Sequence, residues 1–121
     1  MRIIHFEFSD FFRRIVHDMS TRLGIDYIGS SEGEELFKIL ARHDVDLIIT
    51  GMELTDINAE KLISNIKSSK YNELPIVILT SSEIENIHKR LKGLDFNDLI
   101  LKENLTVESF KKCIMRFEHS D

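Results

Sequence analysis

Short apolar runs alternate along the whole chain with stretches that repeat at helical spacing. Ile3-Ile4-His5-Phe6 reads as a first strand. Phe11, Ile15, Met19 and Leu23 then recur every fourth residue, flanked by Phe12 and Val16, and predict the core stripe of an amphipathic helix. Ser9 or Asp10 supplies its N-cap, and Gly24 stands where such a helix stops. Ile25 to Ile28 predicts a short second strand, and a second helix opens at Ser30-Ser31-Glu32 and carries Leu36, Phe37, Ile39 and Leu40. Val45-Asp46-Leu47-Ile48-Ile49-Thr50 is a β-branched run suited to burial on both faces. A loop from Gly51 to Ile57 leads to Asn58, which caps a third helix with Ala59, Leu62, Ile63 and Ile66 on its inner side. Leu74-Pro75-Ile76-Val77-Ile78-Leu79 is a fourth strand, its proline tolerated at the start. A helix around Ile84, Ile87 and Leu91, a strand at Leu99-Ile100-Leu101, and a helix with Val107, Phe110, Ile114 and Phe117 complete the pattern. Five strands alternating with five helices define an α/β domain with a parallel sheet and right-handed crossovers.

Composition narrows the functional classes. The 121 residues suffice for one domain, expected to span 1–121, with the polar ending 118–121 suited to a tail or the start of a linker. Sixteen Lys+Arg against 21 Asp+Glu leave a net charge of −5, which disfavours nucleic acid binding by the domain itself. No apolar run approaches the ~18–20 residues of a membrane span. His5 and Glu7 interrupt the N-terminal apolar stretch, which therefore is no signal peptide. Cys113 is the one cysteine, so no internal disulfide forms, and a reducing cytoplasm is the expected setting. His5, His17, His43, His88 and His119 show no mutual ligand spacing, and His17 and His88 are expected on solvated helix flanks. Ser9, Ser81 and Ser82 lack a base partner, so nucleophilic catalysis has nothing to build on. Glu7-Phe8-Ser9-Asp10 contains no glycine and is acidic, unlike a loop that cradles a flavin phosphate.

In such sheets ligands bind beyond the carboxyl ends of the strands. Those ends carry four motifs. Asp46-Leu47-Ile48-Ile49-Thr50-Gly51-Met52-Glu53, Pro75-Ile76-Val77-Ile78-Leu79-Thr80-Ser81, Asn97-Asp98-Leu99-Ile100-Leu101-Lys102 and Phe6-Glu7-Phe8-Ser9 stand in the order and at the separations found in the receiver domains of bacterial response regulators. The chain resembles that family over nearly its whole length. The resemblance implies a doubly wound sheet in the order 2-1-3-4-5 and a role in two-component or phosphorelay signalling.

Departures from the family pattern shape the functional expectation. Gly51 stands where the resemblance implies the phosphoacceptor aspartate, and glycine has no nucleophile to form an acyl phosphate. The family's magnesium site takes one carboxylate from the acidic pair, one from the acceptor, and a backbone carbonyl two residues beyond it. Here Glu7 remains, Phe8 replaces the second acid, Gly51 removes the acceptor, and only the carbonyl of Glu53 comes regardless of sequence. No metal or other cofactor is therefore expected. Thr80 and Lys102 match the family's phosphoryl-binding hydroxyl and ammonium. Lys102 is either a solvated lysine after a strand or the partner of Glu7 across the pocket. Glu103 replaces the family's proline, so its peptide bond is expected trans. Leu99 takes the place of the switch aromatic, and Phe8 and Met52 either fill vacated space or simply pack in the core or at the rim.

These features predict a non-enzymatic, phosphorylation-independent protein interaction module. By resemblance its docking or homodimer face is the fourth helix, fifth strand and fifth helix, with Glu85, His88, Lys89, Leu99, Glu108, Lys112 and Arg116. Two alternatives stand beside it. One is phosphorylation of a displaced aspartate, Asp56 or Asp10, with Asp56 otherwise a turn former pointing to water. The other is a small-molecule sensor using the pocket between Glu7, Gly51, Thr80 and Lys102.

Overall fold

The structure, a computed structural model, describes residues 1–81 and 84–118. Ser82, Glu83, His119, Ser120, Asp121 and the side chain of Ile84, which the sequence patterns assign to a loop, a helix and a tail, lie outside the described residues. Strands β1 (Arg2–Phe6), β2 (Asp26–Ser30), β3 (Leu47–Thr50), β4 (Ile76–Thr80) and β5 (Asp98–Leu101) alternate with helices α1 (Asp10–Arg22), α2 (Leu36–Arg42), α3 (Ala59–Lys67), α4 (Ile84–Leu91) and α5 (Val107–Met115). The strands form one parallel sheet in the order β2-β1-β3-β4-β5.

Strand alternation divides the core into two layers. Ile4, Phe6, Ile48, Ile76 and Ile78 face α2, α3 and α4, where they meet Leu36, Leu40, Leu62, Ile63, Ile66, Ile87 and Leu91. Ile3, Leu47, Ile49, Val77 and Leu79 face α1 and α5, where they meet Val16, Phe110, Cys113 and Ile114. Asn58 caps α3 as expected, its side chain accepting from Lys61 N–H at 2.9 Å. Ser9, rather than Asp10, caps α1 through Phe12 N–H at 3.3 Å. Thr106 and Ser109 cap α5 reciprocally, at 2.9 and 3.0 Å.

Three sequence expectations shift. The α1 stripe is buried at Val16 and Ser20, with Met19 and Leu23 beside them, while Phe11 is 64% exposed. A strict fourfold repeat rotates by ~40° per step around a 3.6-residue helix, so Phe11 cannot share the face of Leu23. Strand β2 begins at Asp26 rather than Ile25, because Ile25 N–H donates to Ser20 O at 2.8 Å and closes the end of α1. Ser30 ends β2, and a 3-10 turn, Gly33–Glu35, intervenes before α2. Among the described residues no helix is long and apolar enough to cross a membrane.

Candidate functional site

Strand register gathers the site. Phe6 of β1 pairs with Ser30 of β2 and Thr50 of β3, and Thr80 of β4 pairs with Leu101 of β5. The residues that follow β1, β3 and β5 are Glu7, Gly51 and Lys102, so all three emerge at the carboxyl edge of the sheet. The ladder continues one residue further: Glu7 N–H donates to Ser30 O and Gly51 N–H to Phe6 O, each at 2.9 Å.

Lys102 and Glu7 meet there. Lys102 Nζ lies 2.7 Å from Glu7 Oε1, with side chains 13% and 4% exposed. At this distance the two opposite charges form a close, largely buried ion pair. Glu7 Oε2 accepts from Ser9 N–H at 2.9 Å. Lys102 Nζ also stands 4.2 Å from the ring centre of Phe12, a cation–π contact from the first turn of α1. Of the two readings of Lys102, the pair with Glu7 is the one realised. A 3-10 turn, Lys102–Asn104, follows β5, and its peptide bonds are trans.

Gly51 has an ordinary backbone, since only Gly24 and Gly93 have positive φ among the described residues. A Cβ built on it would meet Glu7 Oε1 at 3.5 Å and Leu79 O at 3.7 Å, both ordinary contacts. The backbone therefore does not demand glycine here. Thr80 is buried at the end of β4, and Leu99 is half-buried against the α4-side core.

The remaining expected site residues lie apart. Phe8 is 65% exposed, so it neither packs in the core nor fills the pocket, whereas Met52 is buried. Glu7 takes the inward direction towards Lys102, and its chain neighbour faces the other way. The Glu53 side chain is exposed and reaches Arg90 of α4 at 2.6 Å. Asp56 is exposed, as expected of a turn former, and its carboxylate is also held by backbone donors. Its carboxylate accepts from the backbone N–H groups of Gly33 (2.8 Å), Glu34 (2.9 Å) and Ile57 (2.8 Å), tying its loop to the start of the 3-10 turn. Burial opposes its ionisation, but these backbone donors outweigh it and hold the carboxyl below the usual aspartate range. Asp10 is exposed and paired with Arg13, whose guanidinium also donates to Glu7 O and, at 3.0 Å, to Phe8 O. Glu85, His88 and Lys89 are exposed on α4, as are Glu108, Lys112 and Arg116 at α5, with Arg116 paired to Asp98.

Several residues that matter here carry no motif. Arg90 bonds Glu60 twice, at 3.0 and 2.8 Å, and so joins α4 to α3 as well as to Glu53. His5 is wholly buried, with Nδ1 2.7 Å from Tyr27 Oη. Burial, then the charges of Lys102 and Arg13, lower its pKa to about 3. His17 is exposed but not merely solvated, because its ring stacks on Tyr27 with centroids 4.8 Å apart. The signal for His5 was a polar residue inside an apolar strand; nothing comparable marked Arg90 or Phe12.

As to a metal, Phe8 and Gly51 offer no donor side chain, both Glu7 oxygens are engaged, and of the expected ligands only the backbone carbonyl of Glu53 is left. This donor set does not fit the magnesium ion that the resemblance implies.

A doubly wound five-stranded sheet whose carboxyl edge gathers Glu7, Thr80 and Lys102 defines the receiver class of signalling domains. Residues 7–113 match the response regulator receiver domain family. The chain is 30% identical over 116 residues to a chemotaxis protein CheY homolog of Campylobacter jejuni, covering 87% of this chain and 89% of that one. Among solved structures it superposes on the receiver domain of a sensor histidine kinase from Pseudomonas aeruginosa (TM-score 0.87, 16% identity, 96% of this chain and 95% of that one). It also superposes on the chemotaxis protein CheY4 of Vibrio cholerae (TM-score 0.84, 17% identity, 97% and 98%). The chain belongs to the response regulator receiver domain family. It is a receiver domain of two-component signalling, a class that works through protein partners.

Proposed function

We propose that this domain signals without aspartyl phosphorylation, as a protein–protein interaction module with a degenerate phosphorylation pocket. The observation that carries the reading is the ion pair of Lys102 and Glu7, 2.7 Å apart, beside a residue with no side chain. Lys102 is enclosed by a carboxylate and an aromatic face, and separating it from them exposes two buried charges to loss of their partners. The arrangement favours one fixed state over a phosphate-driven shift between two.

Neither displaced aspartate competes well. Attack by Asp56 requires it to release three backbone donors, and Asp10 is held by Arg13. We assign partner docking to the outward side of α4, β5 and α5, with Glu85, His88 and Lys89 exposed on α4, Glu108, Lys112 and Arg116 exposed at α5, and Leu99 half-buried on β5. The setting we infer is the cytoplasm.

The test is incubation of the protein with a small-molecule phosphodonor and Mg²⁺, followed by intact-mass measurement. The expected result is no added phosphoryl group, in the native chain or in Gly51→Asp. That variant places its carboxylate against Glu7 without restoring the second acid at Phe8. A stable adduct on Asp56 or Asp10, or efficient labelling of the single variant, overturns the reading.

A further inference from the structure

An open groove of about 310 Å³ runs beside the contact of α1 with the edge strand β2, and neither Gly51 nor Lys102 lines it. Its α1 wall is Asp10, Arg13, Arg14 and His17, spaced i, i+3, i+4 and i+7, a polar flank of the helix beside the Val16 side that packs on the sheet. Its strand wall is Tyr27 and Gly29. The size falls at the lower end of small-molecule sites.

The charge balance of the groove is opposite to that of the chain. Asp10 is neutralised by Arg13. Arg14 is exposed and makes no hydrogen bond or ion pair among the described residues. His17 is fixed by stacking on Tyr27, leaving its ring edge exposed. A net −5 domain therefore keeps one uncompensated guanidinium beside an imidazole in a concave polar setting.

The Tyr27 hydroxyl adds a donor. His5 is fully buried and its Nε2 has no partner, while Nδ1 meets Tyr27 Oη at 2.7 Å. A buried N–H without an acceptor costs more than a bare lone pair, so the proton belongs on Nδ1 and Tyr27 accepts it. The phenol hydrogen then has no acceptor among the described residues and remains to donate on the open side that Tyr27 lines. Gly29 permits this pose, since a Cβ there would come within 2.8 Å of the Tyr27 ring.

We propose that this groove binds a small phosphate-bearing anion, held by Arg14, His17 and the Tyr27 hydroxyl. Forked guanidinium donors with an imidazole and a hydroxyl suit the several acceptor oxygens of a phosphate. Free phosphate and a phosphate monoester share this chemistry. The proposal is independent of the phosphorylation-free reading, because it uses neither Gly51 nor Lys102.

Two-dimensional NMR titration at constant ionic strength tests it, with inorganic phosphate in one arm and adenosine monophosphate in the other. Saturable shifts at Arg14, His17, Tyr27 and Gly29 are expected, and Arg14→Gln, an exposed and structurally mild change, is expected to weaken binding about tenfold. Tighter binding of the nucleotide assigns a monoester as the source, and equal binding assigns free phosphate. Absence of saturation to tens of millimolar, shifts centred on Gly51, Thr80 and Lys102 instead, or indifference to Arg14→Gln overturns the proposal.

Discussion

Glu7 and Lys102 are individually costly and jointly stable. Each is a charge taken from water, and each is tolerable because the other stands 2.7 Å away. Lys102→Met is therefore expected to destabilise the domain by about 3 kcal/mol, since it strands a buried carboxylate, whereas Glu7→Gln with Lys102→Met recovers most of that loss. Urea unfolding of the two single variants and the double variant checks this, and additive losses would contradict it. His5 carries a second residue-scale consequence. Unfolded, its imidazole takes up a proton near pH 6.5; folded, it does so only near about 3. Between those values the unfolded chain binds more protons, so this residue's contribution falls as pH falls. The loss between pH 7 and 5 is about 2 kcal/mol, and His5→Val is expected to remove that part of the pH slope in urea titrations. The Glu7–Lys102 contact was legible in sequence because both residues directly follow strands that end together. The His5–Tyr27 bond was not, because it is a diagonal contact set by the β1–β2 register, nor was the Phe12 contact, because it depends on how α1 rotates against the sheet, which periodicity fixes only loosely.

At the scale of elements, strands and the inner side of α3 were readable from β-branched runs and helical spacing alone. In helix α1 the expected stripe holds at Val16, Met19 and Leu23, but its first member, Phe11, turns out to solvent because a fourfold spacing drifts around a straight helix. Helix α4 depends on something periodicity cannot show. Its buried residues include Ile87 and Leu91, and Arg90 adds a fork onto Glu60 of α3 and a contact to Glu53 after β3. Burial works against ionisation of Glu60, but the Arg90 hydrogen bonds outweigh it and keep the carboxyl below its usual range. Arg90 thus links the loop after Gly51 to α4, one element of the proposed docking face. Arg90→Gln is expected to speed hydrogen exchange of α4 amides and of the Met52–Asn58 segment, while β1 and β3 amides change only by the global loss of about 1–2 kcal/mol. Equal acceleration at all these amides would mean that Arg90 contributes to stability alone.

For the whole molecule, the decisive quantity is how folding energy responds to a divalent cation. A net charge of −5 attracts Mg²⁺ diffusely, which salt screens, whereas a coordinated ion needs converging carboxylates. Here the one inward carboxylate at the site is engaged by Lys102 and by Ser9 N–H, so an entering ion has to displace an ammonium before it is coordinated. Binding at a dissociation constant on the order of 1 mM or weaker adds at most about 0.4 kcal/mol of stability in 1 mM Mg²⁺. For a domain of this size that raises the unfolding midpoint by no more than about 2 °C. A site with a dissociation constant of about 10 μM would add about 2.7 kcal/mol under the same conditions, and a rise of about 10 °C. Thermal unfolding with and without the ion, at matched ionic strength, separates the two outcomes. A large rise that disappears in Glu7→Gln would mean that Lys102 yields its partner to the metal, and the phosphorylation-free reading would fail with it.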